Sequence, residues 1–110
     1  MGSRREVEKF IGGEWEDDRE HDGRIYPIQV KVNGKEELFN VEVFISGTAM
    51  STEVEGLEQI LRENGWEEIA KRKITQAVRD GCLDGLPPRS KVRLTVESSD
   101  LEALVLPDVL

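Results

Sequence analysis

Residues 24–46 read RIYPIQVKVNGKEELFNVEVFIS, and this stretch decides the fold. Two runs that alternate apolar and polar residues flank Asn33-Gly34. A two-residue type I′ turn requires φ > 0 at both central positions, which Asn and Gly tolerate best, so the stretch predicts a β-hairpin closed there. Counting away from the turn pairs Val32 with Lys35, Val30 with Glu37, Ile28 with Phe39 and Tyr26 with Val41. Because side chains alternate across a strand, Tyr26, Ile28, Val30 and Val32 then share one face with Phe39, Val41, Val43 and Ile45. The other face carries Gln29, Lys31, Asn40 and Glu42 and suits water. A sheet with one apolar face needs a cover, which the residues that follow must supply.

Downstream, Thr52 and Glu55 have the spacing of a capping box, and Val54, Leu57, Ile60 and Leu61 recur at helical intervals. This predicts a helix over about 52–64, weakened at Gly56 by about 1 kcal/mol relative to alanine. Gly65 sits where a left-handed residue would end it, and Asn64 is spaced from Glu67 to cap a second helix. That helix, about 66–80, would bury Ile69, Ala70, Ile74, Ala77 and Val78, with Glu67–Lys71 and Glu68–Arg72 as i,i+4 pairs on its outer side. Past the loop GCLDGLPPR at 81–89, Val92, Leu94 and Val96 alternate with Arg93, Thr95 and Glu97 as a further strand. Ser99 with Glu102 has the spacing to cap one more turn. The expected architecture is therefore α+β: an antiparallel sheet of three to four strands built on the 24–46 hairpin, covered on one face by two helices.

At 110 residues the chain is expected to form one domain over 1–110, with residues 1–6 and the last few residues flexible. A chain of this size can bury about two thirds of its unfolded surface without metal or disulfide support. Its single cysteine, Cys82, cannot form an intramolecular disulfide and reads as a half-buried, inert thiol, since Asp80 and Asp84 beside it disfavour a thiolate. No run reaches the roughly 18 apolar residues of a membrane span, and the first residues lack the layout of a secretory signal. Met1-Gly2 opens as a myristoylation signal does, but Glu6 stands where a serine or threonine is needed. A cytoplasmic protein is expected. The net charge of −8 works against nucleic acid and anionic membranes as partners, because both are bound by neutralising phosphates.

Between Glu6 and Glu16, Phe10-Ile11 and Trp15 flank Gly12-Gly13, which predicts a strand or short hairpin with aromatics directed at the core. The segment FIGGEW at 10–15 is similar to the opening of aldehyde dehydrogenases, but a Gly-Gly turn between apolar pairs accounts for it without chemistry. The acidic run from Glu14 to Asp22 encloses the only histidine, His21, yet matches no calcium loop and reads as a solvated segment, so no metal site is assigned. The basic run Lys71-Arg72-Lys73 has no interleaved aromatic to stack on bases and reads as a solvated face neutralised by glutamates one turn earlier.

Three segments, IQVKVNGKE (Ile28 to Glu36), WEEIAKRKI (Trp66 to Ile74) and VRLTVESSD (Val92 to Asp100), together resemble the small bacterial α+β family catalogued as domain of unknown function 1488. The resemblance spans about residues 24–101. It implies a bacterial α+β domain and carries no activity or functional residue with it.

No nucleophile–base pairing, phosphate loop or zinc cluster stands out, so an enzymatic role has no site and no cofactor is implied. The reading is a protein-interaction or regulatory module that acts by contact, as a homodimer or with an unidentified protein partner. Its candidate surface is the apolar carboxy-terminal run, Leu104, Leu106, Val109 and Leu110. The alternative is a small-molecule pocket between sheet and helices, lined by Trp15, Tyr26 and Trp66.

Overall fold

In a computed structural model that describes residues 6–17, 22–34, 38–87 and 89–105, the alternating stretch forms strands β3 (Gly23–Val32) and β4 (Leu38–Ser46). They pair antiparallel, with Val30 opposite Phe39, Ile28 opposite Val41 and Tyr26 opposite Val43. This register lies two residues from the one that a two-residue turn dictates. An even slip keeps every side chain on its own face, so all eight predicted core residues are buried despite the correction. The turn is not type I′, because Gly34 has φ 85° while Asn33 stays out of the left-handed region. Asn33 instead donates its amide at 2.8 Å to the carbonyl of Glu6, the residue just before the neighbouring strand. Lys35 and Glu37, the predicted partners of Val32 and Val30, lie outside the described residues.

The amino-terminal segment does form edge structure. Strand β1 (Val7–Ile11) and the two-residue β2 (Glu16–Asp17) both pair antiparallel with β3, separated by the Gly12-Gly13 break. On the far side of β4 lies β5 (Lys91–Val96), and here the expectation of an antiparallel sheet fails: Val41 pairs with Val92 and Val43 with Leu94 in parallel. The chain leaves β4 through a helical crossover and re-enters the sheet from the end where β4 began, as parallel strands require. The sheet order is β1-β3-β4-β5, mixed but largely antiparallel, and the fold is α+β.

Among the described residues the two expected helices are accompanied by two shorter ones. Ser46 caps α1 (Gly47–Met50), its hydroxyl accepting from the Ala49 amide at 3.0 Å, so the predicted connector at 47–51 is mostly a helical turn. Residues 52–56 are not helical, and α2 (Leu57–Asn64) begins only after Gly56, whose φ of 87° is left-handed. Thr52 makes no capping box: its hydroxyl donates to the Thr48 carbonyl at 2.7 Å and lies 3.0 Å from Ser98 Oγ. Gly65 ends α2 and also precedes α3 (Trp66–Arg79), so Asn64 does not cap that helix. After β5, Glu97 and Asp100 form the capping box of a 3₁₀ turn, with the Glu97 amide donating to Asp100 Oδ2 at 2.8 Å. The chain then continues as α4 (Leu101–Val105).

Helix α3 supplies most of the cover, through Ile69, Ala70, Ile74, Ala77 and Val78. Ala49 of α1 and Leu101 and Leu104 of α4 complete it, while α2 buries only Leu57 and leans on α3 and α4. Leu83, rather than Cys82, fills the core from the 81–89 loop; Cys82 is exposed, contrary to the half-buried position expected of it. On the open face of the sheet, Gln29 donates to Asn40 at 3.3 Å and Lys91 pairs with Glu42 at 3.0 Å, as a wet face should.

Candidate contact surface

The aromatic candidates divide. Tyr26 is 2 % exposed on β3, and Trp15 lies against it with ring centroids 4.7 Å apart at 41°. Gly13 closes over the phenol so tightly that a Cβ there would overlap the ring. Burial raises the Tyr26 pKa above its ordinary value, helped by the Glu67 carboxylate at the start of α3. Trp66, the first residue of α3, is half-buried against the same core. Of four open clefts lined by described residues, none is bordered by Trp15, Tyr26 or Trp66. These rings act as core and core edge.

The carboxy-terminal candidates also divide. Leu104 is fully buried in the chain's own core, so its side chain is not offered to a partner. Leu106, Val109 and Leu110 lie outside the described residues. Of the acidic run, Glu14, Glu16 and Asp22 are exposed, and His21 lies outside the described residues. Among the described residues no group of three His, Cys, Asp or Glu side chains is placed to hold a metal ion, and no helix is long and apolar enough to cross a membrane.

The basic run proves structural rather than solvated. Lys71 Nζ lies 5.6 Å from the centroid of the Phe10 ring, a cation–π contact with β1 in place of the predicted pair with Glu67. Arg72 pairs with Glu68 at 3.3 Å, as its spacing predicts, and also donates to the Leu104 and Val105 carbonyls at 3.0 and 3.3 Å. A cation at the last carbonyls of α4 complements the negative end of that helix. Lys73 reaches Asp100 at 3.8 Å. Three consecutive side chains thus tie α3 to β1, to α4 and to the 3₁₀ turn.

What sequence reasoning missed is the largest of the four clefts, about 640 Å³, lined by residues 50–58 and Leu61. It exists because 52–56 breaks away from helical geometry between α1 and α2. Its apolar lining is Met50, Val54, Leu57 and Leu61, all in contact with the core, and its acidic lining is Glu53, Glu55 and Glu58. Glu58 pairs with Arg62 at 2.8 Å. Glu53 and Glu55 are exposed and have no ion pair among the described residues. A second open depression of about 390 Å³ meets the first at Gly56 and Glu58 and adds Glu63. Gly56 was the one available signal, a glycine inside an otherwise helical window.

No family model, curated protein or solved structure matches this chain.

Proposed function

We propose that this domain acts by contact with another protein, and that the cleft between α1 and α2 is the surface it uses. The observation that carries this is the shape of the cleft: broad, open and half apolar, with the exposed carboxylates Glu53 and Glu55 beside side chains that pack on the core. A core-anchored apolar floor with a polar rim matches the anatomy of a protein-contact surface, whereas small ligands are held in enclosed, mostly apolar pockets. The resemblance to the family of domain of unknown function 1488 adds only the expectation of a bacterial α+β domain. Of the carboxy-terminal run, Leu104 is spent on the core, and Trp15, Tyr26 and Trp66 border none of the four clefts above.

Native mass spectrometry of the chain recovered from a bacterial lysate tests this. The expected result is an added mass of whole-protein size that disappears in a Val54→Arg variant, which fills the cleft from a half-exposed position. An added mass of a few hundred daltons that survives the substitution would replace contact with ligand binding.

A further inference from the structure

We propose that the occupant of the cleft is a short, positively charged segment of a partner protein that carries an apolar anchor side chain. The inference rests on the contact reading above and specifies its chemistry. Two features of its lining select this occupant. Met50, Val54 and Leu61, partly exposed above the buried Leu57, offer an apolar floor on which one or two aliphatic or aromatic anchors can be desolvated. Around that floor stand Glu53, Glu55 and Glu58, and the adjoining depression adds Glu63, with Arg62 the one cation among the described residues that line the two. An acidic segment would gain the apolar contact but be repelled by these carboxylates, of which Glu58 is partnered by Arg62, whereas lysines and arginines flanking the anchor would meet Glu53 and Glu55 with complementary charge. Complementarity of this kind also sets partner choice, because like charge across a contact is costly.

The same argument disfavours a second copy of the chain. A two-fold contact through this cleft would set Glu53, Glu55 and Glu58 against their own symmetry mates, in a chain of net charge −8. The acids alone do not make the site. A simple electrostatic attraction would hold any cation equally well; the apolar floor is what demands an anchor, and the test separates the two.

The isotope-labelled full chain is titrated with three capped eight-residue peptides while its amide resonances are followed by nuclear magnetic resonance. RLRRLLRK carries charge and anchors, RSRRSSRK charge alone, and ELEELLEE anchors with inverted charge. The expected result is that RLRRLLRK shifts resonances of residues 50–61 and binds at least about tenfold more tightly than either control, weakening as salt is raised to about 0.5 M. A Glu53→Arg, Glu55→Arg double variant, both positions exposed, should lose that preference while keeping its spectrum elsewhere. Equal shifts from RSRRSSRK would overturn the proposal in favour of unspecific charge attraction. Preference for ELEELLEE at the cleft would overturn the charge assignment and leave the contact reading standing. No shift at residues 50–61 from any peptide, together with a lysate complex that persists in Val54→Arg, would overturn both. Concentration-dependent self-association through the same resonances, without peptide, would replace the basic segment with a second copy.

Discussion

Replacing Arg72 with alanine should cost far more than its position in a basic surface run suggests. The guanidinium holds the Leu104 and Val105 carbonyls at 3.0 and 3.3 Å and Glu68 at 3.3 Å, with a side chain only 11 % exposed. One well-placed bond from a charged donor contributes about 1.5–3 kcal/mol, while the two longer ones add little each. Truncation also leaves the last carbonyls of α4 without the cation that complements their dipole, about 0.3–1 kcal/mol. A loss of roughly 2–3 kcal/mol is therefore expected. Arg62 provides the control: its contact with Glu58 is shorter, 2.8 Å, but the side chains are 74 % and 86 % exposed. An exposed i,i+4 pair contributes only about 0.3–0.5 kcal/mol, so Arg62→Ala should be nearly silent. In a domain of this size the Arg72→Ala loss should lower the melting temperature by roughly 10 °C, read by circular dichroism and checked by urea denaturation. Arg72→Lys should recover only part, because one ammonium cannot serve two carbonyls and a carboxylate in fixed fork geometry. Equal, small losses for Arg72→Ala and Arg62→Ala would refute the clamp and return the run to a solvated face.

Gly13→Ala should destabilise by roughly 3 kcal/mol or more, because φ is +114° and the new methyl would meet Tyr26 Cζ at 2.6 Å. Gly12→Ala, at φ +76° with nothing within 4 Å, should cost only about 1 kcal/mol; urea midpoints followed by tryptophan fluorescence compare them. Leu104→Ala should cost about 3 kcal/mol by the same measurement without changing the mass seen by light scattering, since this side chain lies in its own core. The pKa of Tyr26 is raised above 10.0 by burial and then by Glu67, so the folded state keeps the proton after the unfolded chain has lost it. The contribution is fully present below about pH 10 and is lost as pH climbs toward the folded value. With a single tyrosine in the chain, tyrosinate absorbance should appear at higher pH in the folded protein than in urea, and Tyr26→Phe should remove that part of the alkaline decline.

Much of the fold was legible because it rests on local periods. Period two over 24–46 named all eight buried residues of the central strands, and period 3.6 over 66–80 named the five that α3 buries. Register was not legible, since Asn33-Gly34 is a local signal and the Asn33 amide is bound by Glu6, far away in sequence at the entry to β1. The direction of β5 was hidden for a related reason: inward alternation of Val92, Leu94 and Val96 is the same in parallel and antiparallel pairing. A capping box at Thr52 and Glu55 was likewise a correct spacing with the wrong outcome, because the Thr52 hydroxyl is taken up by Thr48 and Ser98.

Sequence by itself therefore determined which residues turn inward, since that depends on the spacing of apolar side chains along one strand or helix. Only the tertiary structure decided which strand neighbours which and in what direction. It also decided that Leu104 and Arg72 are spent on packing and that Glu53 and Glu55 stand exposed beside an apolar floor. Those outcomes depend on groups far apart in the chain competing for the same hydrogen bonds and the same buried space, and no local period records that competition.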